Sequence, residues 1–146
     1  NTDFWFGNLN SDFGKNENLA DVQLNKMAVS GIDPQPMSKD NSWYKYYSFL
    51  PKVECVDDGN MIQSNAKEYK ANPFGLYSMH GNIAEWTRSA YQPYPYNEKS
   101  KNISDYKVVR GGSYIDRPKF STAYERKAYY PWQRVHNVGF RVIIED

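Results

Sequence analysis

An α+β domain, loop-rich and built on a few short antiparallel strands, is the fold class that this sequence predicts, and three observations lead there. Apolar runs are short and separated by turn formers. Period-two alternation is confined to a few segments, and no helical period is sustained. Aromatic residues (13 Tyr, 7 Phe and 4 Trp in 146 residues) are spread along the whole chain. Such rings close an irregular core while their polar tips find hydrogen-bond partners.

Taken in order, residues 1–17 are rich in Asn, Gly, Asp and aromatics and read as loop and turn. Leu19, Val22 and Met27 suggest a short helix capped by Asn18. Residues 30–42 carry Gly31, Pro34 and Pro36 and form an irregular connection. Tyr44 to Phe49 is an aromatic run of no clear type. Asp57-Asp58-Gly59-Asn60 is a strong turn. Asn82 to Thr87 alternates as a half-buried strand, with Ile83 and Glu85 on one face and Ala84 and Trp86 on the other. Tyr91 to Asn97 is extended, but Pro93 and Pro95 keep it out of a sheet centre. Lys107-Val108-Val109-Arg110 is a compact strand that stops at Gly111-Gly112. Val138, Phe140, Val142 and Ile144 alternate as the clearest strand of the chain.

Length allows one domain, 1–146, with a single core. Eighteen basic against 17 acidic residues give a net charge of +1, and the basic ones are scattered. That pattern offers no phosphate-binding stripe, so nucleic acid is not expected as a partner. Mean hydropathy is −0.84, and no apolar run approaches the roughly 20 residues that span a bilayer, so no membrane span is expected. Cys55 is alone, which excludes an intrachain disulfide and a Cys-x-x-Cys site. The chain opens at Asn1 with neither Met nor a signal-peptide pattern, and reads as a piece of something longer.

The chemistry-bearing motifs are three. Residues 71–87 run Ala71-Asn72-Pro73-Phe74-Gly75-Leu76-Tyr77-Ser78-Met79-His80-Gly81-Asn82-Ile83-Ala84-Glu85-Trp86-Thr87. Val109-Arg110-Gly111-Gly112-Ser113-Tyr114 and Val138-Gly139-Phe140-Arg141-Val142 follow at plausible spacing. Two glycines after a strand suit positive φ and close backbone approach. A phosphate loop would need a further glycine, a lysine and a following helix. His80 and His136 are isolated and read as structural. A triad from Ser113, His136 and Asp116 has no support in spacing. Arg110, Arg134 and Arg141 are expected to hold carboxylates or carbonyls with their planar forks.

Together the three motifs resemble the C-terminal part of the formylglycine-generating, or sulfatase-modifying factor, family, from about Asn18 onward. The family's early strand is not present. The resemblance implies a C-type-lectin-like fold. In active members a cysteine pair after the glycine bend binds copper. Here those positions hold Asp116 and Ser121, hard oxygen donors where copper(I) requires thiolates, so neither copper nor the formylglycine-generating reaction is expected. Calcium is the other inherited chemistry. The resemblance places one site at Asn18 (side chain), Leu19 (carbonyl), Asp58 (carboxylate) and Asn60 (carbonyl). A weaker second site falls at Ser78, Gly81 (carbonyl), Ile83 (carbonyl) and Glu85, with Ser78 replacing an Asp or Asn.

The resulting expectation is a pseudoenzyme: a calcium-stabilised scaffold or binding module of an extracytoplasmic bacterial protein, at the periplasm or cell surface. Its contact surface for a protein or glycan would be Tyr91, Tyr94, Tyr96, Tyr124, Tyr130 and Trp132, although packing alone also explains so many rings. The enzyme alternative is a fragment of a family oxidoreductase, formylglycine-generating or non-haem iron sulfoxide synthase in type, with its metal ligands outside this chain. Direct lectin-type sugar binding through calcium lacks its usual ligand pair. A sheet edge or apolar patch is expected to need cover, for instance by the missing N-terminal portion of the same domain.

Overall fold

The computed structural model describes residues 2–24, 52–95 and 104–144. Among them the sheet has four strands in the order β3-β2-β1-β4. These are β1 (Ala84–Ala90), β2 (Lys107–Arg110), β3 (Lys127–Tyr129) and β4 (Val138–Gly139). β2 coincides with the strand read from the sequence, because an apolar pair flanked by polar residues fits a half-buried strand and the glycine pair ends it. β1 begins two residues later than the alternation suggests and continues to Ala90. It pairs antiparallel with β2, Glu85 opposite Arg110 and Trp86 opposite Val109, with an irregularity before Ala90. β3 runs antiparallel on the outer side of β2.

Two expectations are corrected here. The C-terminal alternation yields only the two residues of β4, which run parallel to β1 rather than antiparallel, and pairing ends at Gly139. Beyond it Phe140, Val142, Ile143 and Ile144 are between 72% and 86% exposed, an uncovered apolar run of the kind anticipated at a sheet edge. The helix from Leu19 is not formed over Leu19 to Gln23. Leu19 is instead buried with Phe13 and Val56, while Val53 N–H donates to the Ala20 carbonyl and Val22 N–H to that of Val56. Its continuation to Met27, residues 30–42 and the Tyr44 to Phe49 run lie outside the described residues. Among the described residues the one complete helical element is a 3-10 turn, Pro118–Phe120.

Much of the interior is polar. Glu17, Asn18, Asp21, His80, Asn82, Ser113 and Asn137 are all buried. Most buried polar groups are hydrogen-bonded, and several of these tie loops to the sheet. Asn82, in the left-handed region at φ 65° that Asn tolerates, joins three segments. Its N–H donates to the Asn18 carbonyl (2.7 Å) and its carbonyl accepts from Tyr114 N–H (3.0 Å). Its side chain both accepts from Ser64 N–H (2.7 Å) and donates to the Ser64 carbonyl (3.2 Å). Gly81 makes this approach possible, since a Cβ there would lie 2.3 Å from the Asn18 carbonyl oxygen.

A second network follows the glycine pair. Gly112 has φ 72° and a Cβ on it would meet Ser121 Oγ at 2.0 Å. Asp116 Oδ2 accepts from Ser113 N–H (2.9 Å) and Oγ–H (2.6 Å), and its Oδ1 meets Lys127 Nζ at 2.5 Å. Asn137 Nδ2 donates to Ser113 Oγ (2.7 Å), and its carbonyl accepts from Ala84 N–H. One carboxylate thereby links the loop after β2 to β3 and to the entry of β4.

Glu17 is fully buried. Its Oε1 accepts from Trp5 Nε1 at 3.2 Å, while Oε2 has no partner. Burial pushes its carboxyl up to about 7 against the opposing pull of Trp5, the His80 and Met79 N–H groups and Arg141. A raised folded-state value means that the folded chain holds the proton longer than the unfolded one. Stability from this group is therefore highest below about pH 4.5 and is lost as pH rises to about 7, a difference of about 3 kcal/mol. Glu17→Gln is expected to flatten part of that slope and to exceed the wild type at pH 8 by about 1–2 kcal/mol, as read by urea denaturation at pH 5 and pH 8. Gly81→Ala is expected to lose about 3 kcal/mol or more in the same assay, because backbone rather than a flexible side chain blocks the added methyl.

Candidate functional site

The turn at Asp57 to Asn60 folds back on the segment carrying Asn18 and Leu19. Gly59, at φ 87°, reverses the chain. Asp58 N–H donates to Asp21 Oδ2 (2.6 Å), and Asn60 N–H donates to Asp58 Oδ1 (2.8 Å). Asn60 Nδ2 reaches Tyr69 Oη at 2.8 Å and Glu68 Oε1 at 2.9 Å. Across the turn, Asn18 Nδ2 donates to the Ile62 carbonyl at 2.8 Å. Two buried oxygens are left without partners, Asn18 Oδ1 and Asp58 Oδ2. Burial pushes the Asp58 carboxyl up to about 7; neighbouring Asp21 and Asp57 add to the rise, and the N–H groups of Asn60 and Leu19 oppose it. All four residues of the first oxygen set thus lie in one neighbourhood. Its donors are oxygens only, and Asp21 and Asp57 stand close enough to act on its carboxylate; a hard cation suits such an oxygen-rich, acidic setting. Among the described residues no group of three or more His, Cys, Asp or Glu gathers as a metal cluster, so this set would rely on carboxamide and carbonyl oxygens beside one carboxylate.

The second set is arranged differently. Arg141 grips the Glu85 carboxylate with Nε (3.0 and 3.1 Å) and Nη2 (2.6 Å), and Nη2 also donates to the Tyr77 carbonyl. This fork-to-fork pairing raises the Arg141 guanidinium further above its usual range. Ser78, at φ 50°, turns its hydroxyl to the Ala66 carbonyl, and Gly81 is packed on Asn18. Ile83 stands on the wall of a cavity shared with Ser78 and Glu85. With its carboxylate committed to an arginine, this set lacks the free charge that a cation would need.

The residues at the two positions that the resemblance assigns to cysteines make no hydrogen bond to each other. Asp116 is held by Ser113 and Lys127, and Ser121 Oγ is buried against Gly112 with no partner. The Ser121 carbonyl accepts from His80 Nδ1 (2.9 Å), which leaves Nε2 as the bare acceptor; burial holds His80 below its usual range. His136 is exposed, and no hydrogen bond joins it to Ser113, so no triad forms. Arg110 donates to the Ala123 carbonyl, as its fork was expected to do.

The tyrosine-rich segments meet at the Lys107 end of β2. Tyr91 N–H donates to the Tyr106 carbonyl (2.8 Å), which sets Tyr91 on one side of the start of β2, while β3 pairs on the other. Tyr106 and Tyr130 stack at 4.2 Å with their hydroxyls 2.9 Å apart, and Tyr130 lies nearly parallel to Trp132 at 5.2 Å. Arg126 sits over the Tyr94 ring at 3.6 Å and over Tyr91 at 5.3 Å. Trp132 is 76% exposed. Tyr124 stands apart, its hydroxyl donating to Asp3, and Tyr96 lies outside the described residues. Tyr106, which no sequence pattern singled out, completes the group.

Comparison with known proteins agrees with the motifs. The family model described as "Sulfatase-modifying factor enzyme 1-like domain" matches residues 20–146. The formylglycine-generating enzyme of Streptomyces coelicolor is 30% identical over 102 residues, covering 63% of this chain and 32% of that protein. The inactive Cα-formylglycine-generating enzyme 2 of Mus musculus is 31% identical over 110 residues, covering 71% and 32%. This chain therefore spans about a third of these relatives' length. Among solved structures, PvdO from Pseudomonas aeruginosa aligns with a TM-score of 0.50 at 19% identity, covering 84% of this chain and 50% of that one. On the family match and these relatives, the chain belongs to the sulfatase-modifying factor enzyme 1-like, or formylglycine-generating-enzyme-like, family.

Proposed function

We propose that this module is a non-catalytic member of its family, a calcium-stabilised scaffold of C-type-lectin-like fold that presents its tyrosine-rich surface to a protein or glycan. Its setting in this reading is an extracytoplasmic bacterial protein. The observation that carries the reading is the pair of buried, unpartnered oxygens, Asn18 Oδ1 and Asp58 Oδ2. Leaving two such atoms unmade costs several kcal/mol in a chain of marginal stability. Asn18, Leu19, Asp58 and Asn60 would hold a calcium ion, which would give Asn18 Oδ1 and Asp58 Oδ2 the partner they lack. The non-catalytic half rests on Asp116 and Ser121, which offer no thiolate for copper and serve the fold instead. That a similar protein carries the name "inactive" is in keeping with this.

Calcium at about a hundred times its Kd is expected to raise Tm by about 5–10 °C, while magnesium at the same concentration raises it less because its smaller octahedral shell fits a carbonyl-rich loop poorly. Asp58→Ala should abolish the shift. A melting point indifferent to calcium and to chelator removes the cation from the proposal. For the surface, Trp132→Ala and Tyr130→Ala should weaken capture of a partner from the native source about tenfold or more without lowering Tm appreciably. Undiminished capture by both variants would exclude this face as the contact.

A further inference from the structure

Arg110 closes β2 at the end opposite the tyrosine cluster, four residues and roughly 13 Å from Tyr106. There the chain forms an open cleft of about 320 Å3, at the lower end of the range for small-molecule sites. Phe74, Leu76, Met79 and Ile83 give it an apolar wall. Two charged side chains reach it, Glu85 and Arg110. Glu85 is neutralised by Arg141. Arg110 is not neutralised: it is partly buried, it spends one N–H on the Ala123 carbonyl, and among the described residues no carboxylate pairs with it. A guanidinium carries five N–H donors in a fixed fork, so most of this one's capacity is unspent. The His80 ring on the same wall donates through Nδ1 to the Ser121 carbonyl. It therefore offers an acceptor at Nε2 and adds no second cation.

The cavity holds one uncompensated positive charge beside an apolar wall, and that combination defines a ligand. We propose that it binds a small organic carboxylate, with the carboxylate on the Arg110 fork and an aromatic or branched aliphatic body against Phe74, Leu76 and Ile83. A single cation matches a single negative charge, and the planar fork matches a carboxylate in two parallel hydrogen bonds. A doubly charged phosphate would bring two negative charges to a wall whose described residues offer it one unpaired cation, Arg110. The carboxylate comes either from a free acid or from the C-terminus of a peptide. The site is separate from the tyrosine surface and from the Asp58 turn, and depends on neither.

The test is titration of the whole chain, in low-chloride buffer, with 3-phenylpropionate, N-acetylglycyl-phenylalanine and the amide of each, followed by amide NMR. Both acids should perturb Met79, Gly111 and Ala123, and each amide should bind at least about tenfold more weakly. The tighter acid tells a free acid from a peptide terminus. Arg110→Gln should weaken the acids about tenfold or more, and Phe74→Ala, at a ring 86% exposed, several-fold. Equal binding of acid and amide overturns the proposal, as does wild-type affinity in Arg110→Gln or the absence of any acid binding below about 10 mM. Should Arg110→Gln fail to fold, undiminished affinity in Phe74→Ala overturns it.

Discussion

The rest of this structure depends on the hydrogen bonds converging on Asn82. With so little regular structure among the described residues, few backbone ladders fix their loops, and the burden passes to one carboxamide and its peptide groups. Asn82 ties the segment at Asn18, the loop at Ser64 and the turn at Tyr114 to the start of β1. Each bond adds about 1 kcal/mol net when made, yet leaving its partners buried and unmade would cost about 1–3 kcal/mol apiece. The hub is consequently all-or-none in character. Gly81 belongs to it, because any side chain there would force the Asn18 carbonyl away from the Asn82 N–H. The candidate cation set inherits its geometry from the same hub: Asn18 is held through its backbone to Asn82 and through Nδ2 to Ile62, which leaves Oδ1 spare.

Local chemistry was legible in the sequence wherever a local cause decides the structure. β2 was readable because Val108 and Val109 are framed by polar residues and then by two glycines. The Asp58 turn was readable from Asp-Asp-Gly-Asn alone. Where the cause is distant, the pattern misleads. Alternation from Val138 to Ile144 states which side chains share a face, but not whether a neighbouring strand is there to pair, and β4 stops after two residues. Leu19 and Val22 stand at a spacing that a helix would use, yet contacts with Val53 and Val56 decide their backbone. Glu85 read as a cation ligand because its partner is 56 residues away in sequence. The resemblance named the family, while only coordinates could show that an arginine had taken the carboxylate.

The tyrosine-rich surface is a further case of long-range assembly. Tyr91, Tyr94, Tyr130 and Trp132 were readable as candidates by composition. What brings them together is the single Tyr91 to Tyr106 backbone bond and the β2–β3 pairing, in which Lys107 stands opposite Tyr129. Tyr106 itself gave no signal, being a lone ring in front of a short strand.

Asp116, at a position where the resemblance would place a cysteine of active relatives, serves the fold. Its Oδ1 meets the Lys127 ammonium at 2.5 Å, and through Ser113 and Asn137 it reaches the entry of β4. A thiol at 116 would leave Lys127 without its counter-charge and the Ser113 N–H and hydroxyl without their acceptor, in a partly buried setting where unmade charge-assisted bonds are costly. The carboxylate that stabilises the loop after Gly112 is a hard, charged group that accepts from Ser113 and Lys127, and groups of that kind are poor ligands for soft metals. Restoring a thiol there would require removing Lys127 at the same time, so the two positions should be considered as one unit.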